Sequence, residues 1–341
     1  MGYLVPDGFS EMPEVVVYFG TQQVLHTRCE EFYEGVKANG RHQTGLVGFR
    51  LDENSLPGIT HAEDLTIKDA STGLVIHRRL PENSVLQQRV LRLETQILPY
   101  KGLDDSLKVF FALHSPNIDR FGEETIHQLF HLQHYRSHYL SGRILISKYE
   151  RQLDEGLKTI AVLNNPYVEF AIRLFSIGKY KKHKFNFLSA RDLILYEPAI
   201  TYFSGVDMAN ESDLKNAIKR APKDVLKLFS SPLTRQLSVK SPDEDVTLDS
   251  VSGALNMLSR IDSVSITDFG LPPSVNIGAL LGVPSKAVND VQNLDIFSNI
   301  AEFIKSLPTI DSLLESDLVL YHYIKEAIEH AEGLDQGNAK G

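Results

Sequence analysis

The chain contains almost no cysteine, no tryptophan and no excess of positive charge. Its 341 residues include one cysteine, Cys29, and no Trp. A single cysteine excludes a disulfide within the chain and a metal site built from several cysteines. Lys and Arg number 35 against 44 Asp and Glu, which gives a formal charge of -9. This balance argues against a nucleic-acid partner held by a general basic field, and it favours a small-molecule or glycan partner.

Long apolar runs are also missing. The first residues do not combine a basic segment with an apolar one, and nowhere do about 20 apolar residues follow one another, as a membrane-spanning helix requires. We therefore expect no membrane span and a cytoplasmic protein. The chain closes on small and polar residues from Gly337 to Gly341, and we expect residues 331–341 to form a flexible tail.

The first apolar run resembles the start of a phosphate site. Val15 to Phe19 reads as a strand, Gly20-Thr21 as a turn, and Gln22 to Lys37 as a helix. A turn that opens a helix after a strand binds anions, because the first helical N–H groups are unpaired and the helix dipole favours negative charge. A Walker loop would add a lysine and further glycines, and Gly20 to Val24 has no lysine.

Apolar patterns along the chain predict an α/β protein. The spacing of apolar residues predicts a helix over Val85 to Leu98 and another over Glu123 to Leu140, and continuous apolar runs predict buried strands. From about Val168 onward the pattern is mostly helical. The alternation predicts a single α/β domain over residues 14–330, with a central, mostly parallel sheet flanked by helices and a helix-rich C-terminal half. The predicted strands are Lys108 to Leu113, Thr159 to Leu163 and Ser263 to Ile266.

Ligands of open parallel sheets bind beyond the carboxyl ends of the strands. The predicted ends are Gly20-Thr21, His114-Ser115 and Asn164-Asn165. His114 is therefore a candidate general base for an acceptor hydroxyl. The alternative is that His114 only caps a strand or bonds to a loop.

Four histidines lie on one face of the predicted helix near residue 130. At about 100° per residue their spacing keeps the imidazoles within roughly a 60° arc. The sequence leaves three interpretations open, namely an exposed polar face, an adventitious metal site and a catalytic metal site. We assign no metal ligand from the pattern alone. The histidines are His127, His131, His134 and His138.

Several segments, in this order, resemble the sulfotransferases that use phosphoadenosine phosphosulfate, especially the carbohydrate-type and bacterial branches. The resemblance extends over about residues 14–330, and the common order of the segments carries it. The segments are Val15 to Thr27, Leu157 to Pro166, Pro232 to Ser238, Ala254 to Phe269, Leu280 to Pro284 and Asp317 to Tyr321.

The resemblance implies a P-loop-like sulfotransferase architecture and a nucleotide donor, 3'-phosphoadenosine 5'-phosphosulfate. It implies that the first loop holds the phosphosulfate and that a second segment holds the 3'-phosphate. Where the family has a lysine in the first loop this chain has Gln22 or Gln23, and where the family has an arginine this chain has Asn164. The donor residues implied are Gly20, Thr21, Gln22, Gln23, Val24, Asn164, Arg173, Ser176 and Arg235.

The function expected from the resemblance is transfer of a sulfuryl group to a hydroxyl of a carbohydrate or small molecule, with His114 as base. Arg28, Arg41, Arg235 or the basic run Lys179 to Lys184 could supply the missing cations. The alternative is a fold that lost or changed its donor, either a pseudoenzyme or a transferase with another donor, in a polysaccharide or natural-product assembly system.

Overall fold

The computed structural model describes residues 1–80, 85–132, 135–241, 244–291 and 295–338. Its internal contacts divide the chain into two compact units. The first comprises Met1–Val90 and Leu107–Leu140, and the second comprises Leu91–Ser106 and Ser141–Gly341. The expected domain boundaries at residues 14 and 330 stay a prediction.

The first unit is rich in antiparallel strands. Alternate valines of the second strand, Val15 and Val17, are completely buried, while Val16 and Tyr18 face the other side, as period-two side chains require. The elements are β1 (Gly2–Tyr3), β2 (Glu14–Phe19), β3 (Gln22–Arg28), β4 (Glu31–Phe32), α1 (Glu34–Ala38), β5 (Leu46–Phe49), β6 (Leu65–Asp69) and β7 (Val75–Arg79). The strands form two sheets, with the orders β3-β2-β6-β7 and β1-β5-β4.

The helix predicted over Gln22 to Lys37 is wrong. Residues 22–28 form β3, which pairs antiparallel with β2 so that Phe19 faces Gln22 across a two-residue turn. Gly20 begins that turn with a φ of 57°, a conformation that glycine adopts without steric cost in tight hairpins. The Gly20-Thr21 turn therefore joins two strands and opens no helix.

A five-stranded parallel sheet contains β8 (Arg89–Glu94), β9 (Leu113–Ser115), β10 (His138–Gly142), β11 (Lys158–Leu163) and β12 (Ser263–Ile266), in the order β12-β11-β8-β10-β9. The strands predicted at residues 159–163 and 263–266 are confirmed. Here the α/β class, the parallel sheet and the helix-rich second half agree with expectation. The helices between β8 and β11 include α2 (Lys101–Leu107), α3 (Glu123–His131) and α4 (Glu150–Asp154).

Strand β8 occupies the middle of this sheet, where the sequence predicts a helix over Val85 to Leu98. The prediction is wrong because β8 buries charged residues among its apolar ones, which hides the strand pattern. Arg92 is completely buried and donates from Nε and Nη2 to the two carboxylate oxygens of Asp104, at 3.0 and 2.8 Å. Glu94 accepts a further bond from Arg92 Nη2 at 2.5 Å. The ion pairs offset the cost of removing these charges from water.

Two neighbouring predictions are also corrected. Residues 101–110 form α2 and a short 3-10 turn, and of the strand predicted over Lys108 to Leu113 only Leu113 belongs to β9. The helix predicted over Glu123 to Leu140 ends at His131, and its last predicted residues belong to β10.

The second half of the chain is helical, as predicted. Its core contains Phe170, Phe203 and Phe229, all at most 1% exposed. Helix α14 includes residues 331–338 of the predicted tail. In the parts of the chain that the structure describes, no helix is both apolar enough and long enough to cross a bilayer. The helices are α5 (Pro166–Lys179), α6 (Ala190–Leu195), α7 (Glu197–Phe203), α8 (Glu211–Arg220), α9 (Lys223–Lys227), α10 (Pro232–Ser238), α11 (Asp249–Leu258), α12 (Pro273–Leu281), α13 (Asp295–Lys305) and α14 (Pro308–Asn338).

A buried carboxylate from α14 caps α10. The N-cap residue of α10, Ser231, makes no side-chain cap bond. Instead Asp317 accepts from the backbone N–H groups of Leu233 and Thr234 at 3.0 and 2.7 Å and from the Thr234 hydroxyl at 2.7 Å. Burial raises the pKa of Asp317 from 3.8 to about 6, although the Thr234 bonds oppose the rise. Two segments that carry the family resemblance thus meet at one carboxylate.

The raised pKa of Asp317 predicts an unusual pH dependence of stability. The folded carboxyl holds its proton more tightly than the unfolded one, so its stabilising contribution is complete below pH 3.8 and is lost as the pH rises through about 6. Between about pH 4.5 and 7.5 the free energy of unfolding should fall by about 2 kcal/mol relative to Asp317→Asn, which has no proton to lose. Urea unfolding of both proteins measures this difference. The exposed Asp105→Asn variant is the control, and parallel pH curves for the wild type and Asp317→Asn would contradict the assignment.

Candidate functional site

A cavity of 770 Å³ lies in the second unit, at the carboxyl ends of β8, β11 and β12. Its walls include residues 98–103 after β8, Asn164 and Asn165 after β11, and Thr267 and Asp268 after β12. From β8 the chain continues to β9 at one edge of the sheet, and from β11 it continues to β12 at the opposite edge. The β8–β11 boundary is therefore a topological switch point, where open parallel sheets bind their ligands.

Lys101 contributes an ammonium group to this cavity. It is the first residue of α2, and residues 95–100 connect it to the end of β8. The side chain is exposed and lines the cavity. Among the described residues it has no ion-pair or hydrogen-bond partner, so its charge is available to an anionic ligand.

The turn after β11 is ordered by side-chain amides. Asn165 caps α5, because its Oδ1 accepts from Tyr167 N at 3.1 Å. Asn164 is buried, and its Oδ1 accepts from the Tyr100 hydroxyl at 2.5 Å and from the Thr267 hydroxyl at 3.2 Å. Asn164 therefore links the ends of all three strands that border the cavity.

Glu169 forms hydrogen bonds to the loops that follow β8 and β11. One carboxylate oxygen accepts from Ile97 N at 2.8 Å and from Arg173 Nε at 2.7 Å, and the other accepts from Asn164 Nδ2 at 3.2 Å. Arg173 also donates to the Tyr196 hydroxyl and to the Thr95 carbonyl, at 3.0 and 3.1 Å. Burial works against the charge of Arg173, but Tyr196 and Glu169 outweigh it and raise the pKa of the guanidinium. The pair is a structural brace beneath the cavity.

Asp268 contributes a carboxylate to the polar wall of the cavity. It accepts from the Tyr321 hydroxyl and, at 3.3 Å, from Asn165 Nδ2. Burial, followed by the bond to Asp268, raises the pKa of Tyr321, and burial followed by the charge of Glu169 raises the pKa of Tyr100. Both phenols therefore remain protonated hydrogen-bond donors.

The rest of the lining mixes charge with apolar surface. Lys305 Nζ lies 4.0 Å from Glu302 Oε1, and Asp290 accepts from Ser274 N at 3.0 Å. Helices α5 and α13 contribute the apolar residues Val168, Ile172, Phe297 and Ala301. A ligand with one anionic group and a flat apolar part fits this lining.

The predicted donor loop lies elsewhere. Gly20 and Thr21 form the hairpin turn, and Gln22, Gln23 and Val24 lie in β3 of the first unit. None of these five residues lines the cavity of the second unit. Because the turn opens no helix, the helix dipole and unpaired N–H groups that motivated a phosphate site are absent there.

The other predicted site residues are only partly brought together. Asn164 lines the cavity, whereas Arg173 and Ser176 are buried within α5, and Arg235 donates from Nη1 to the Glu244 carbonyl at 2.6 Å. His114 lies within β9 rather than beyond it. Its ring stacks on that of Tyr139, with centroids 5.1 Å apart and planes 8° apart.

Sequence reasoning missed Lys101 and Asp268. The signal for Lys101 is a strand followed by a six-residue loop and a lysine at the start of a helix. That signal depends on recognising β8, whose buried Arg92 and Glu94 give it the appearance of a helix. Asp268 follows β12, a strand that the sequence does reveal, and its position at the carboxyl end was the available clue.

The predicted histidine stripe is divided between different elements. His127 and His131 lie on α3 with ring centroids 4.1 Å apart. His138 is buried in β10, and His134 lies outside the described residues. Over the described ranges, no group of three or more His, Cys, Asp or Glu side chains could hold a metal ion.

Comparisons with known proteins give no relative. No family model matches the chain. No curated protein and no solved structure matches it at a significant level.

The Glu169–Arg173 brace predicts a large effect of one substitution. Glu169→Gln leaves a buried guanidinium without its carboxylate, which costs about 3–5 kcal/mol of stability. It also weakens the hold on the loops after β8 and β11. Chemical denaturation measures the loss, with the exposed Glu329→Gln as control. The double variant Glu169→Gln/Arg173→Met removes the stranded charge and should regain part of the loss. Equal stability of Glu169→Gln and Glu329→Gln would contradict the role of the brace.

Proposed function

We propose that the cavity at the ends of β8, β11 and β12 binds a phosphate-bearing nucleotide, and that the protein is a sulfotransferase-like group-transfer enzyme acting on a hydroxyl of a carbohydrate or small molecule. One observation carries the proposal. Lys101 begins the helix after the central strand β8 and faces the same cavity as Asn164 and Asn165. In P-loop proteins, a lysine at the end of the loop after a strand contacts the transferred group.

The size and lining of the cavity support a nucleotide. Its 770 Å³ falls within the range of about 300–1,000 Å³ usual for small-molecule sites. The apolar side chains of Val168, Ile172 and Phe297 suit a purine base, and Lys101 suits a phosphate or sulfate. A site with an apolar part and a few polar groups fixes a nucleotide in one orientation.

The side chains of Lys101 and Asp268 have different roles in the proposed transfer. The acceptor oxygen forms a bond to sulfur or phosphorus while the bond to the nucleotide phosphate breaks. Lys101 stabilises the negative charge on the leaving phosphate oxygen, and Asp268 accepts the proton of the acceptor hydroxyl. Tyr321 and Asn165 hold the carboxylate of Asp268 in place. In this proposal Asp268, and not His114, is the general base.

The charges favour a donor with one anionic group over one with two. Arg173, one of the donor residues that the resemblance implies, directs its Nε and both Nη atoms at Glu169, Tyr196 and Thr95. Lys305, the other cation of the described lining, lies near Glu302. The fit of 3'-phosphoadenosine 5'-phosphosulfate is therefore partial, since Lys101 suits its 5'-phosphosulfate and no arginine of the described lining meets its 3'-phosphate. ADP-type donors are the natural comparison.

Nucleotide binding tests the role of Lys101. Titration calorimetry with adenosine 3',5'-bisphosphate and with ADP should detect binding of at least one, and Lys101→Met should weaken it about 10- to 100-fold through loss of a charge-assisted bond of about 1.5–3 kcal/mol. Lys223→Met removes an exposed lysine outside the cavity and should bind like the wild type. Absence of heat with both ligands at millimolar concentration, or equal binding by the two variants, would overturn the donor assignment.

Turnover tests the role of Asp268. Nucleotide release from 3'-phosphoadenosine 5'-phosphosulfate or ATP, measured with a panel of sugars and phenols, should be about 10²- to 10⁴-fold slower in Asp268→Asn, with nucleotide affinity within about threefold of the wild type. A parallel loss of affinity would make Asp268 a binding residue instead.

A second function, nucleotide binding without catalysis, is favoured by one observation. Both amides of the β11 turn, Asn164 and Asn165, are uncharged where the resembling family has charged residues. This function predicts nucleotide binding that depends on Lys101 and no nucleotide release by the wild-type protein with any acceptor.

A further inference from the structure

The first unit contains a second cavity, of 740 Å³, whose walls come from its strands and from α3. Much of the wall is apolar and continuous with the core of that unit. An open cavity of this size with such a lining suits a ligand with apolar surface. The apolar wall includes Phe49, Leu65, Ile67, Ile76, Leu129 and Leu132.

The polar part of the lining is basic, with Arg41 and Arg79 as its formal charges and three histidines beside them. His77 and Arg79, two residues apart on β7, share a face of the strand, and His127 and His131 lie one turn apart on α3. Arg41 also lines the cavity and pairs with Glu124. No Asp or Glu of the described residues lines the cavity. In a chain with a formal charge of -9, this local reversal points to an anion.

Arg79 is the fixed charge of this group. Its Nη1 donates to the backbone carbonyls of Ile59 and Ala62, at 2.7 and 3.2 Å. Within the described chain it pairs with no carboxylate, so its positive charge is not neutralised. The side chains of Arg79, His127 and His131 are exposed, which gives an anionic group access from solvent.

We propose that this cavity binds an alkyl carboxylate of the fatty-acid class. The alkyl chain lies against the apolar wall, and the carboxylate lies at the opening, against Arg79 and the histidines of α3. A carboxylate satisfies the guanidinium with a charge-assisted hydrogen bond, while each methylene leaves water for the apolar wall. This site lies within the first unit, and it does not depend on the nucleotide proposed for the second.

A homologous series separates the two parts of the ligand. Titration calorimetry with octanoate, decanoate and dodecanoate, each below its micelle concentration, should show affinity rising about fourfold per methylene, which corresponds to about 0.8 kcal/mol per buried CH₂. Decanol tests the anionic group, and it should bind at least about tenfold more weakly than decanoate. No binding by any of the three acids, or equal affinity for decanol and decanoate, would overturn the proposal.

Variants locate the binding site. Arg79→Met should weaken decanoate about tenfold or more and leave decanol unchanged, and Arg79→Lys, which retains the charge, should recover part of the affinity. Arg50→Met removes an exposed arginine of the same unit that does not line the cavity and should bind like the wild type. Thermal melts check that each variant is folded. Equal decanoate affinity of folded Arg79→Met and Arg50→Met would place the ligand elsewhere and contradict the inference.

Discussion

The carboxylate of Glu169 is the interaction on which the candidate site depends. It bonds to Ile97 N after β8, to Asn164 after β11 and to the guanidinium of Arg173. These bonds connect the loops that follow β8 and β11, and both loops line the cavity. A buried carboxylate that accepts three charge-assisted or amide bonds costs less than its desolvation alone would suggest, and its removal strands the arginine. Lys101 and Asp268, both exposed, line the same cavity.

A second cluster of buried charges explains the position of α2 and also why the sequence does not show β8 as a strand. Arg92 pairs with Glu94 and with Asp104, and this network ties β8 to α2. It fixes the start of α2 and hence the position of Lys101. The same charges interrupt the apolar run that identifies a buried strand. The same network therefore positions Lys101 and makes β8 hard to recognise as a strand from its sequence.

The sequence predicts the α/β class, strands β11 and β12, and the helical second half. In these regions the apolar runs and turn residues agree with the structure. The site was only partly predictable. Asn164 follows β11, a strand whose end the sequence shows. Gly20 belongs to a hairpin because β3 follows it. A glycine turn after a strand can precede either a helix or a second strand, so the sequence alone did not distinguish the two. Arg173 was expected to meet a phosphate, but tertiary contacts with Glu169 and Tyr196 engage it. Pairings between distant segments decide such cases, and local pattern does not contain them.

We propose that the anion site of this protein lies after β8 and not at the first glycine turn. A crystal structure of the protein soaked with ADP or adenosine 3',5'-bisphosphate is the direct test. We expect phosphate density within hydrogen-bond distance of Lys101 Nζ, and a base against Val168 and Phe297. Nucleotide density at the Gly20-Thr21 hairpin, or an empty cavity in crystals that bind nucleotide elsewhere, would contradict it.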